Sequence, residues 1–224
     1  MKRDDHLALA AYLVGLCPER WRDRGMRTAF YVGAVLPDSN PATYLRGVTR
    51  AHKPAGHNTQ WSYATVLRLL AGVRRNGVRG MRQAYRLGAL THYLADAFTY
   101  PHMPSFPGGI QAHNRYEREM HRVFGEVLGA ADRNAPIPAD PFRFLSGSLA
   151  KSGGAAHTPR ADCERIVHVC TGIWRSVFQE NGEKSPISNK RAKNKGFGLT
   201  DGKKNDIMLK DCESGQNFLS IPNF

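Results

Sequence analysis

The sequence predicts an all-α protein: a single multi-helical domain of about seven helices with a disordered basic C-terminal tail. Three observations lead there. Apolar residues recur at spacings of three and four along most of the chain up to Glu180, the mark of helices with one buried face. Proline and glycine fall between those segments and punctuate them. Beyond Glu180 the periodicity disappears.

The first helix covers the stretch DHLALAAYLVGLC, with Asp5 as its N-cap and Pro18 ending it. Residues 1–17 imitate a secretory leader, with basic residues before an apolar segment. Asp4 and Asp5 sit where such a leader is positive, however, and no small-x-small cleavage site precedes Pro18. The helix is therefore the preferred reading and the cytoplasm the expected location, with secretion as the alternative. A second helix over Glu19–Leu36 places Trp21, Met26, Ala29, Phe30 and Gly33 on one face. Pro37 breaks it and presents Asp38 in a polar turn. A long loop, Ser39–Asn58, holds His52 and His57. Residues 60–75 repeat Trp61, Ala64, Leu67, Leu70 and Ala71 at helical spacing, and Gly77 and Gly80 separate them from a long helix starting near Met81. A helix through Met120, Val123, Phe124, Val127 and Leu128 follows, then a proline-rich connector, a short helix over FRFLSGSLAKS, a loop leaving His157 exposed, and an amphipathic helix over residues 162–180.

Composition narrows the partners. Hydrophobic residues make up 41% of the chain. They form no unbroken apolar run of the roughly 18 residues that a membrane-spanning helix needs. The formal charge of +13 favours an anionic partner such as a phosphodiester, a phospholipid surface or a nucleic acid, with peripheral membrane contact as one form. Cys17, Cys163, Cys170 and Cys212 show no paired spacing and read as free thiols. Lysine occurs three times in residues 1–180 and seven times afterwards, while arginine falls from 21 to one. The domain is therefore drawn at 1–180. Residues 181–224 form a basic tail, disordered or foreign to the domain.

The chemistry concentrates in LGALTHYLADAFTYPHMPSFPGGIQAHNRYEREMH, residues 87–121. His92 and Asp96 stand four apart, which puts them on one helical face with Cβ atoms roughly 6 Å apart. Pro101 stops that helix and His102 follows at its exit. Gly108-Gly109 reverses the chain, and the next helix offers His113 and Glu117, again four apart. Imidazole nitrogens and carboxylate oxygens held on packed helices suit zinc. Leu, Ala, Tyr and Phe around His92 and Asp96 bury that face, where a charged Asp needs a partner. His121 shares the face of His113 and Glu117, in a supporting or surface role.

With its His-x3-Asp-x5-His and His-x3-Glu spacing, this stretch resembles the bacterial zinc-dependent phospholipase C family, whose metal scaffold is shared by the zinc-dependent single-strand nucleases. The resemblance is specific over residues 87–117 and covers 1–180 in outline. It implies two zinc ions, one on Asp38, His57, His92 and Asp96 and another on His102, His113 and Glu117, with Asp96 bridging to a third near His6. His52 is the alternative to His57. Asp38 would be the general base. Secreted members of the family also use the amine and carbonyl of an amino-terminal Trp, whereas here Met1 stands five residues before His6. The implied activity is phosphodiester hydrolysis of phospholipase C type on a phospholipid. The alternatives are a single-strand nuclease, for which Tyr44, Trp61 and Tyr63 are the nearby stacking candidates, and a non-catalytic zinc-stabilised helical protein.

Overall fold

A computed structural model describes residues 1–39 and 59–183 of the chain. These residues form seven α-helices and two short 3-10 turns, with no strand among them. The helices are α1 (Arg3–Leu16), α2 (Arg24–Ser39), α3 (Thr59–Asn76), α4 (Met81–Ala97), α5 (Ile110–Ala130), α6 (Pro141–Gly153) and α7 (Pro159–Glu183). The 3-10 turns are Pro18–Trp21, between α1 and α2, and Tyr100–His102, between α4 and α5. Both loop histidines, His52 and His57, lie outside the described residues, as do Tyr44, Cys212 and residues 184–224.

Local chemistry accounts for most of the boundaries. Asp23 accepts a hydrogen bond from the Met26 N–H at 2.7 Å. It thereby caps the start of α2. Asp140 does the same for α6, accepting from the N–H groups of Phe142 and Arg143, with Pro141 at the first helical position. Thr158 caps α7 through Ala161. Between α3 and α4 the chain turns through Gly77 and Gly80, whose φ angles are 64° and 87°. Such angles are strained for residues with a Cβ.

Several boundaries differ from the sequence expectations. Helix α1 starts at Arg3 with Lys2 at its cap position, so Asp5 is no cap. Its buried carboxylate is used instead against His121 of α5, at 2.6 Å. Residues 18–21 form a 3-10 turn and α2 begins only at Arg24. Pro37 does not break α2, which continues through Asp38 to Ser39, so Asp38 projects from a helix and not from a turn. A proline inside a helix costs about 3 kcal/mol. Here Pro37 is buried in the last turn of α2, whose packing against α4 is the most extensive of any helix pair among the described residues. His157 is half-buried, not exposed. Its ring stacks on Tyr100 at 4.2 Å, and Nδ1 lies 3.0 Å from Asp162.

Two contacts organise the packing. Around α7, Trp174 stacks on Trp21 at 5.5 Å and meets Phe30 and Phe178 edge-on at 5.1 and 4.9 Å. Such offset and edge-on pairings are the arrangements that aromatic quadrupoles favour. Ile166, Val169, Cys170 and Ile173 extend this core along α7, and Cys17, Cys163 and Cys170 are all free thiols. The second contact is the crossing of α2 and α4, where Gly33 faces the Tyr85 carbonyl and Gly88 faces that of Phe30. A Cβ at either glycine would overlap the opposing backbone oxygen. The helices can touch backbone to backbone only because both positions lack a side chain.

Gly33→Ala should therefore destabilise the protein by about 1–3 kcal/mol or more, because the obstructing atom is backbone and cannot rotate away. On an open face of α5, Gly125 has nothing near an added methyl. Gly125→Ala should accordingly be neutral or stabilising by up to about 1 kcal/mol. Urea denaturation of the two variants checks the contrast.

Candidate metal centre

The site forms where α1, α2, α4 and α5 meet. A separation of four residues puts His92 and Asp96 on one face of α4, and both are fully buried. His92 donates its Nδ1–H to the carbonyl of Ala34 at 2.9 Å. A carbonyl can only accept, so that bond fixes the tautomer and aims Nε2 inward. There Nε2 lies 3.3 Å from Asp38 Oδ1 and 3.2 Å from Asp96 Oδ2. His6, one turn into α1, stacks on the His92 ring at 4.1 Å and brings its Nε2 within 3.4 Å of Asp96 Oδ1 and 3.9 Å of Asp38 Oδ2.

A second group adjoins the first. The 3-10 turn after α4 carries His102, whose Nδ1 is 4.0 Å from Asp96 Oδ2 and whose Nε2 is 3.5 Å from Glu117 Oε1. On α5, His113 and Glu117 are four residues apart, with Nε2 and Oε1 at 2.9 Å. The amine of Met1 is buried between the groups, 3.1 Å from Asp96 Oδ1 and 2.9 Å from Glu117 Oε1. One donor atom each from His6, Asp38 and His92 lies within 4.8 Å of the others, and the same holds for His102, His113 and Glu117.

Electrostatics follow from crowding charges in a place closed to water. Burial opposes ionisation of Asp96, but the Met1 amine, His102 and His92 outweigh it and hold this carboxyl well below the usual range. Glu117 is likewise driven far down, against its burial, by His102, His113 and the Met1 amine. Asp38 is lowered because, against its burial, the hydrogen bond with His92 favours the charged form. The imidazoles separate: burial disfavours a charged His92, yet Asp96 and Asp38 raise it to about 9, while burial and the neighbouring His92 charge push His6 down to about 4. Burial likewise disfavours the charged Met1 amine, and Asp96 and Glu117 overcome it and raise the amine to about 10.

Of the ligand residues read from the sequence, His6, Asp38, His92, Asp96, His102, His113 and Glu117 converge here. His6 adjoins Asp38 and His92 and also faces Asp96. The donor set suits zinc, since imidazole nitrogens and carboxylate oxygens are arranged in two clusters of three, with Asp96 near His6 and His92 of one and His102 of the other. The Ala34 carbonyl and the Asp5–His121 pair were not read from the sequence. The first is backbone and leaves no residue-type signal. The second joins residues 116 apart, and only the shared face of His113, Glu117 and His121 hinted at it.

The Asp5–His121 pair ties α1 to α5 directly behind the site. His121→Ala should cost about 1–3 kcal/mol by leaving the buried Asp5 carboxylate without that partner. Burial already raises the Asp5 pKa and His121 opposes the rise. The deficit, followed by urea denaturation, should therefore shrink as the pH falls and Asp5 takes up a proton.

The sequence model of a family described as zinc dependent phospholipase C matches residues 6–166, well over half of the chain. No curated protein and no solved structure matches it. The matched span runs from His6 past every described donor in both clusters, and the chain belongs to that family.

Proposed function

We propose that this zinc-dependent phospholipase C family member hydrolyses a phosphodiester, with a phospholipid as the favoured substrate. The observation that supports this most is the position of Asp96, a buried carboxylate with one oxygen facing His92 and His102 and the other facing His6 and Met1. Asp38, His92 and Asp96, adjoined by His6 and joined by His57 or His52 as the resemblance implies, would hold one zinc, and His102, His113 and Glu117 a second. A third ion, which the resemblance puts beside His6, would draw on Asp96 and the Met1 amine. Zinc on such donors supplies a Lewis acid that polarises a phosphoryl oxygen and acidifies water.

The remaining work falls to the protein's own groups. Asp38, with 30% of its side chain exposed, is the most open of the carboxylates and is held ionised. It would orient the attacking water and take its proton at a carboxylate oxygen. The Ala34 carbonyl keeps His92 Nε2 directed at the donors. The positive charge of the chain favours an anionic substrate.

Mass spectrometry of the metal-resupplied full chain should find two or more zinc ions, fewer in His92→Ala and in Glu117→Ala. Turnover of phosphatidylcholine should exceed that of single-stranded DNA, and Asp38→Asn should lower kcat by roughly 10²–10⁴-fold. The reverse preference would favour the nuclease. Zinc uptake without turnover of either would favour a zinc-stabilised scaffold, and no zinc at all would overturn the metal assignment.

Zinc binding should also depend on pH with a defined sign. His92 is protonated below about 9 in the metal-free protein, and zinc must displace that proton. Affinity for the ion on His92 should therefore rise about tenfold per pH unit from neutrality toward that value, with at least one proton released as that ion binds. His6, neutral above about 4, adds nothing to this slope. Calorimetric titration in buffers of different ionisation enthalpy measures the proton count.

A further inference from the structure

Behind the His102 cluster lies a carboxylate that faces away from the donors. Asp162, in the first turn of α7, is fully buried. Its Oδ2 accepts from the backbone N–H of Tyr100 at 2.9 Å and from the Tyr116 hydroxyl at 2.8 Å. Its Oδ1 accepts from Arg165 Nη2 at 2.7 Å and lies 3.0 Å from His157 Nδ1. Arg165 also donates to the Ala156 carbonyl, so the loop before α7 is drawn into the same network. His157 stacks flat on Tyr100, and Phe106 meets the same ring edge-on at 5.1 Å.

Four hydrogen-bonding groups on one buried carboxylate are what make its burial tolerable, and losing any of them is costly. The identity of two of them gives the network its meaning. Tyr100 is two residues before His102, in the same 3-10 turn, and Tyr116 directly precedes Glu117 on α5. A single oxygen of Asp162 therefore grips both segments that carry the second cluster. Among the described residues α7 contributes no donor to either cluster, yet it supplies the fixed point from which two donor-bearing segments hang.

We infer that Asp162 is a positioning residue for the His102, His113 and Glu117 cluster, acting through Tyr100 and Tyr116 to set the distance between His102 and Glu117. The inference rests on the zinc assignment proposed above. Its consequence is selective: weakening the Asp162 network loosens the ion held by this cluster and leaves the ion on His6, Asp38 and His92 unchanged.

Tyr116→Phe is the direct test, because it deletes one hydrogen bond to Asp162 and keeps the ring. Zinc affinity is measured on the full chain by competition with a chromophoric chelator. In the His92→Ala background, where the remaining zinc sits on the second cluster, Tyr116→Phe should weaken binding by roughly 10–100-fold. In the Glu117→Ala background it should change binding less than about twofold. Asp162→Asn should give the same pattern with a larger loss. If that variant does not fold, Tyr116→Phe alone decides. Equal losses in both backgrounds would reduce Asp162 to a general packing role and overturn the inference. Unchanged affinity in both would overturn it as well, with the zinc assignment intact. A wild-type chain that takes up no zinc would overturn both together.

Discussion

A carboxylate with no exposure to water is unfavourable unless positive charge and hydrogen-bond donors surround it. Asp96 is such a group, and the arrangement of the domain around the site follows from what it requires. His92 comes from its own helix, His102 from the turn that ends that helix, His6 and the Met1 amine from α1 and the residues before it. Glu117 is brought in as the second acid on the same amine. Helices far apart in sequence thus converge because each brings Asp96 something it lacks, and a divalent cation fulfils the same electrostatic need as these nitrogens.

The split between His92 and His6 follows the same logic. The two rings stack, and a second positive charge at that distance would be repelled. Both rings face Asp38 and Asp96, but His92 lies closer to each and is the one that holds its second proton at neutral pH. Placing neutral and charged imidazoles side by side gives one ready donor and one that must exchange a proton for metal.

Legibility in the sequence followed the range of each interaction. The α4–α5 hairpin was readable because its information is local: the i,i+4 pairs, Pro101 and the Gly108-Gly109 reversal all lie between Leu87 and Glu117. The start of α4 at Met81 and the buried face of α7 were equally plain. What failed to show were effects in which distant packing overrides a local rule. Pro37 reads as a stop, but it is buried and the helix runs past it to Asp38. Asp5 reads as a cap, but a histidine 116 residues away claims it. His157 reads as a loop residue in solvent because nothing nearby announces that Asp162 and Tyr100 will enclose it. Recognition of a family pattern supplied His6 and Asp38, which spacing alone would not have singled out.

The glycine crossing of α2 and α4 has a further meaning for how such a site can diversify. Ala34, which orients His92, adjoins Gly33, and Asp38 lies one turn beyond; His92 lies one turn beyond Gly88. The relative placement of Asp38 and His92 is thus referred to main chain lying on main chain, where side-chain volume does not enter. A centre built in this way keeps its donors on a main-chain skeleton that a change of side-chain size elsewhere hardly reaches.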